Sequence, residues 1–448
     1  MQHHYITVLG AGYVGLTTAA ILAHSGSRVY VVEPNEKRLS AIKNGHSFFY
    51  EAGLDKLIQT ALKMQTLIPT NSYAEAIPNS TAVFSCVGTP SNPDGSTNLE
   101  YVFAAAEKSQ ELLRDGTVYI QKSTVPVGTG EKVEKILNKS GKFIPYVSNP
   151  EFLRESSAVY DTLFFDRVVV GGNNKDAVNS TLSIYKNVQQ HRIKIAKIAQ
   201  VDTSKKTGRF ISTDLSSAEL IKVSANAFLA MKISFANSIA KLSDAVGADI
   251  NNVMDAVGAD ERIGGAFLNA GRGYGGGCFP KDVSGLIASG REYGINLELI
   301  KSTQAVNDSM PQYIIQSLRL QLENNLKGRR ITLLGLSFKA NTSDTRHSPG
   351  ILIANQLANE GVIITAYDPK ANDEAKEDLS SHVTVARSVE EAMSNPEVVI
   401  ITTNWSEFTN LSLNQYERSG ALLILDAVNS IDKTMFKNSN IKYIGVGR

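Results

Sequence analysis

The sequence predicts an α/β protein in which two doubly wound, Rossmann-like domains are joined by a long central helix. Three observations carry this. Short β-branched runs alternate with helical stretches through the first half, a second such series begins near residue 330, and a proline-free helical stretch lies between them. In the first series the strand candidates are 5–9 "YITVL", 28–32 "RVYVV", 81–87 "TAVFSCV", 117–122 "TVYIQK" and 167–170 "RVVV". Between the series, 216–246 "SSAELIKVSANAFLAMKISFANSIAKLSDAV" has apolar residues at helical spacing, with Ser, Thr and Asp available upstream as N-caps. The second series runs through 330–334 "RITLL", 362–366 "VIITA", 397–403 "EVVIITT", 421–425 "ALLIL" and 442–446 "KYIGV". The polar stretch 202–208 "DTSKKTG" reads as a surface loop.

The first strand runs into Gly10-Ala11-Gly12-Tyr13-Val14-Gly15, and the helical "LTTAAILAHSG" follows. Glycines at this spacing permit a tight turn and close approach of a pyrophosphate, whose charge meets the helix N-terminus. The next strand ends at Glu33, about 20 residues on, where a carboxylate binds a ribose 2′-hydroxyl and repels a 2′-phosphate. The expected cofactor is therefore NAD rather than NADP. Arg38, nearby, tempers that preference only slightly.

Composition removes several function classes. Lys plus Arg number 45 against 44 Asp plus Glu, so no electrostatic excess invites nucleic acid or an anionic membrane. No apolar run approaches the roughly 20 residues that span a bilayer, and "MQHHYITVLGAG" lacks a signal-peptide layout, so a cytoplasmic protein is expected. Two cysteines, Cys86 and Cys278, form no disulfide framework. No metal site is expected.

Cys86, inside "VFSCV", reads as core. Cys278 stands differently, in "GYGGGCFPKD" at 273–282, where Pro280 is suited to a helix's first turn. The helix N-terminus and Lys281 would favour a thiolate there, and Gly275, Gly276 and Gly277 would let a substrate approach the backbone. The alternative is a small half-buried hydrophobe at a helix cap. A thiol nucleophile beside an NAD site points to oxidation past an aldehyde: a thiohemiacetal, then a thioester, then an acid, with two NADH formed.

Ordered motifs then carry a family resemblance along nearly the whole chain: "GAGYVGL", "FFYEAGLD", "VGTPSNPDGSTNLEYV", "KSTVPVGT", "NPEFLRESSA", "ELIKVSANAFLAMKISFANSIA", "GRGYGGGCFPKD", "VNDSMP", "LGLSFKANTSDTRHSPG" and "YDPKA". The chain resembles the UDP-glucose/GDP-mannose dehydrogenase family, and within it the branch acting on UDP-glucose. The resemblance implies a catalytic set of Cys278 as nucleophile, Lys222 and Asn226 around an oxyanion, Asp282, Glu151 for thioester hydrolysis and Thr124 ordering water. On spacing alone Lys222 reads as a solvated helix lysine, and Glu151 and Thr124 as loop caps. Cofactor contacts are implied for Gly10, Gly12, Tyr13, Val14, Gly15, Glu33, Arg38, Thr89, Thr124, Glu155, Lys281 and Arg346. For the sugar nucleotide the matched positions are Glu151, Phe152, Leu153, Lys222, Asn226, Phe267, Tyr274, Gly275, Cys278, Phe338 and Lys339.

The implied organisation is an NAD-binding domain at 1–205, a central helical domain with the dimerisation helix and cysteine loop at 206–325, and a UDP-sugar-binding domain at 326–448. The implied reaction is the four-electron oxidation of UDP-glucose to UDP-glucuronate in a homodimer or higher homo-oligomer. Departures from the family pattern are Ala52, Ser156, Gly277, Asn404 and Val428, where proline, glycine, serine, glutamate and arginine are usual. They leave GDP-mannose or a UDP-hexosamine open as the substrate. Single-step oxidation of a β-hydroxy acid, or a nucleotide-sugar sensor without turnover, are the competing readings.

Overall fold

A computed structural model describes residues 5–448. Residues 1–4, which head the segment read above as lacking a leader, lie outside the described residues. The chain divides into two compact units, Met1–Ala225 and Asn226–Arg448.

The first unit is built on eight strands: β1 (Tyr5–Leu9), β2 (Arg28–Val32), β3 (Leu67–Thr70), β4 (Ala82–Ser85), β5 (Val118–Gln121), β6 (Tyr146–Ser148), β7 (Arg167–Gly171) and β8 (Arg209–Thr213). Their order is β3-β2-β1-β4-β5-β6-β7-β8. Pairing is parallel except between β6 and β7, which meet antiparallel at Ser148 and Gly171. The expected strands are present. The sheet adds β3, β6 and β8, which are short or polar, and β3 carries Pro69 at the sheet edge, where a missing N–H costs no ladder bond. Both faces are buried, as strand alternation requires: Ile6, Val8, Val29, Val31, Phe84 and Ile120 pack on one side, and Leu9, Val32, Val83 and Tyr119 on the other.

The second unit repeats the plan with six parallel strands, β9 (Arg330–Leu334), β10 (Ile363–Tyr367), β11 (Val383–Val385), β12 (Val398–Ile401), β13 (Leu423–Asp426) and β14 (Lys442–Gly445). Their order is β11-β10-β9-β12-β13-β14. Ile331, Leu333, Val398 and Ile400 face one core, and Leu334, Val399 and Ile401 the other.

Four helices bear on the site. They are α1 (Tyr13–His24), α2 (Thr129–Leu137), α3 (Leu215–Val246) and α4 (Phe279–Glu292). At 32 residues, α3 is about 48 Å long at about 1.5 Å per residue, and the boundary between the units falls within it. Among the described residues no helix is long and apolar enough to cross a membrane.

Candidate active site

In the first unit, the candidate cofactor residues gather at the carboxyl ends of the strands. Gly10 adopts φ +87°, and a Cβ there would lie 2.9 Å from the Cys86 carbonyl oxygen; one on Gly15 would lie 1.9 Å from the Gly10 oxygen. Both positions need glycine. A Cβ on Gly12 would meet nothing within 4 Å, and Gly12 caps α1 with no side-chain bond, so the helix N-terminus opens onto free space. This cradle suits a pyrophosphate. Glu33 stands just past the end of β2, where its carboxylate accepts from the backbone N–H of Asn35 at 2.9 Å and of Ala11 at 3.3 Å. The carboxylate is thus already oriented at the turn. Arg38 lays its guanidinium over Phe48, 4.8 Å from the ring centroid.

The Tyr13 hydroxyl donates to Glu51 and accepts from the Ser156 N–H, while Glu51 also accepts from the Val159 N–H. Burial raises the pKa of both Tyr13 and Glu51. Ser156 holds φ +71°, the left-handed region that suits the glycine usual at this position. Thr89 and Thr124 are half-buried on the loops after β4 and β5, and Glu155 lies on the loop that also carries Glu151.

Glu151 and Lys222 are both buried and paired, Nζ to Oε1 at 2.9 Å. Burial by itself would push the Glu151 carboxyl up. The Lys222 ammonium, the Leu153 N–H and the more distant Lys122 outweigh it and hold the acid below the usual carboxylate range. Spacing alone would leave Lys222 a solvated helix lysine; the structure instead has it buried against Glu151, as its place among the implied site residues requires. The buried carboxylate of Glu151, on the loop after β6, compensates its charge. The Phe152 ring lies between two cations, 5.5 Å from Lys222 Nζ and 3.8 Å from Arg167 Cζ. Cys86 is core as expected, its thiol pushed up to about 12 by burial.

In the second unit, Cys278 is the exposed N-cap of α4, with Pro280 in the first turn, and it is not in a disulfide. Asp282, one turn on, donates its N–H to the Cys278 carbonyl at 2.8 Å. Its buried carboxylate accepts from Asn226 Nδ2 at 2.6 Å and pairs with Lys281 Nζ at 2.6 Å. The Lys281 charge is thus shared with Asp282 rather than directed at sulfur alone. Tyr274 meets Phe279 edge to face and Phe267 meets it tilted, with centroids 5.9 and 6.0 Å away.

Added Cβ atoms on Gly275, Gly276 and Gly277 would lie 2.3 Å from the His347 oxygen, 2.7 Å from the Phe338 ring and 2.4 Å from Arg346 Cζ. The Cβ sides of these glycines are filled by the 338–347 segment. Gly276 N–H also donates to the Arg346 carbonyl at 2.8 Å. The Arg346 guanidinium pairs with Asp344 at 2.6 Å, and Lys339 Nζ stands 5.6 Å over the Phe338 ring.

Sequence reasoning missed two supporting groups in the first unit. Lys122, buried at the end of β5, donates to the Tyr185 hydroxyl at 2.8 Å and acts electrostatically on Glu151. Glu219 accepts from the Gly128 N–H at 2.8 Å and the Gly130 N–H at 2.7 Å, so a carboxylate on α3 caps α2 and ties down the loop that follows Thr124. Burial raises its pKa to about 7. Its spacing of one turn from Lys222 was the available signal.

The comparison with known proteins fits this geometry part by part. Three models of one family match in order along the chain: an NAD binding domain over residues 4–189, a central domain over 216–309 and a UDP binding domain over 332–433. The chain belongs to the UDP-glucose/GDP-mannose dehydrogenase family. Among similar members, the UDP-glucose 6-dehydrogenase of Rickettsia typhi is 36% identical over 444 residues, covering 99% of both chains. The Bacillus subtilis UDP-glucose 6-dehydrogenase TuaD is 39% identical over 411 residues, 91% of this chain and 85% of its own. A UDP-glucose dehydrogenase structure from the archaeon Pyrobaculum islandicum matches with a TM-score of 0.89 at 34% identity, over 100% of this chain and 98% of that one. The glycine cradle and Glu33 lie within this family's NAD binding domain, and Cys278 and Asp282 within its central domain.

Proposed function

We propose that the protein oxidises UDP-glucose to UDP-glucuronate, with two NAD reduced per sugar. The observation that carries this reading is Cys278, an exposed thiol at a helix N-terminus, set one turn from a buried carboxylate that is bonded to Asn226, in a family member that matches relatives over 99% of its residues. NAD, held by the Gly10–Gly15 cradle with its ribose at Glu33, supplies the hydride acceptor.

The chain's own groups take the rest. With the C6 alcohol oxidised to an aldehyde, Cys278 Sγ adds to the carbonyl carbon as thiolate, so a C–S bond forms and the oxygen becomes an oxyanion. Lys222 and Asn226, four residues apart on α3, stabilise that oxygen. Loss of a second hydride leaves a thioester. Water, ordered by Thr124, attacks it, Glu151 assists, the C–S bond breaks and Cys278 leaves as thiolate. In total, alcohol and water give a carboxylate, two hydrides and three protons. Asp282 holds Asn226 and receives protons. Lys222 keeps Glu151 in the ionised form, which is the form that can accept a proton from water. The functional parts are those at 1–205, 206–325 and 326–448.

HPLC with absorbance at the NADH band is expected to give about two NADH per acid formed. A ratio of one overturns the two-step scheme. In a panel of UDP-glucose, UDP-galactose, UDP-hexosamines and GDP-mannose, UDP-glucose is expected to have the highest kcat/KM.

We further propose a dimer built on α3. Phe228, Phe235 and Leu242, seven residues apart, are 58%, 49% and 58% exposed, a stripe that a second copy of the helix covers. Light scattering is expected to give at least twice 48.5 kDa, and a monomer mass refutes it.

A further inference from the structure

In the second sheet the strand order reverses between β9 and β12. Open α/β sheets bind ligands in the crevice outside the carboxyl ends of the strands at such a reversal. Arg272 reaches this place from the glycine loop. Its Nη2 donates to the Phe338 carbonyl, beyond β9, at 2.7 Å and to Thr403 Oγ1, beyond β12, at 3.3 Å. The residue is only 5% exposed, and its other two nitrogens, Nε and Nη1, are buried without a hydrogen-bond partner.

Such an arrangement needs a reason, because buried donors left idle are costly. Burial draws the Arg272 pKa down to about 10 against the pull of Asp368, so the guanidinium is charged at neutral pH. Asp368 itself is occupied: it accepts from the N–H groups of Leu336, Ser337, Lys370 and Ala371 and from Trp405 Nε1. It is therefore a poor full counter-ion.

Arg272 also lines a cavity of about 390 Å³, together with Ile233, Phe267, Asn269, Asn404 and Val428. Arg272 is the charged residue of that lining. Val428 and Asn404 bring no charge. An apolar and amide wall suits a nucleobase and ribose, and a cation at the strand ends suits a phosphate.

We propose that Arg272 is a binding residue for the sugar nucleotide, its guanidinium meeting the diphosphate while the remaining wall of the cavity takes the nucleoside. The inference rests on the nucleotide-sugar reading above and adds the residue that anchors the nucleotide. Arg272→Met keeps the length and puts an apolar chain in place of a buried charge, and a melting curve checks that the variant is folded despite the loss of the donor to the Phe338 carbonyl. Calorimetric titration of the full chain with UDP and with uridine tests it. Arg272→Met is expected to weaken UDP by about 30-fold or more and uridine by less than about 2-fold, with NAD affinity unchanged; Arg272→Lys is expected to recover part of the UDP affinity. A folded Arg272→Met that binds UDP like the parent chain overturns the proposal, and equal losses for UDP and uridine overturn the assignment to phosphate. A parent chain that binds UDP through Arg272 yet fails to oxidise UDP-glucose would overturn the proposed reaction and leave this residue's role standing.

Discussion

Cys278→Ser is expected to stop formation of the acid, lowering kcat by about 10³-fold or more, while UDP and NAD affinities stay within about 2-fold. The side chain is exposed at the N-cap of α4, where serine is a favoured residue, so the change suits the position. A serine hydroxyl is not ionised near neutral pH, whereas a thiol at a helix N-terminus is readily so. HPLC of the product and NADH absorbance report the result. Undiminished acid formation in this variant would remove sulfur from the reaction altogether.

Lys222→Met should show the second largest effect, and on two readouts. It removes the counter-charge of a carboxylate that is only 7% exposed, and breaking a buried pair from one side costs about 3–5 kcal/mol. For a unit of this size that is a drop in Tm of roughly 6–20 °C. The pH dependence changes sign as well. In the parent chain Glu151 is held below its ordinary pKa, so its contribution is present above the unfolded pKa and lost as pH falls through the folded one. Without Lys222, burial dominates and the folded pKa rises above the unfolded one. The protonated acid then favours folding at low pH, and that contribution is lost as pH rises. Melting curves at pH 5 and pH 8 should therefore show Lys222→Met losing more stability at the higher pH. Adding Glu151→Gln should restore much of the Tm but not the activity, which separates the structural part of the pair from its part in the reaction. An unchanged Tm and pH trend in the single variant would mean that the pair does not hold in solution.

Local chemistry made much of this legible. The glycine turn, Glu33 at the end of the second strand and Cys278 before Pro280 are each signalled by the few residues around them, and the structure has the turn, the strand end and the helix cap where the sequence puts them. Lys222 was harder, because whether a helix lysine meets water or a carboxylate depends on Glu151, which is remote in the chain and comes beside it only after the sheet has formed. Arg272 and Lys122 are hidden for the same reason: a cation among glycines or at a strand end looks solvated until its neighbours close around it. The strands β3, β6 and β11 escaped because three or four residues, one of them a proline, carry too little periodicity to announce a strand. The glycines before Cys278 were read as places of close approach, and the Phe338 ring and the Arg346 guanidinium do approach the Cβ sides of Gly276 and Gly277 closely.

The carboxylate of Glu219 has a consequence for how the chain is made. As the polypeptide leaves the ribosome, α2 emerges long before the acceptor that satisfies the Gly128 and Gly130 N–H groups, and before Leu215, whose methyls would meet a Cβ on Gly130 at 2.8 Å. The amino-terminal unit is then left unfinished until the first turns of α3 have been translated. An excised nucleotide-binding fragment ending near residue 205 would share that defect, whereas one carried through residue 225 would not.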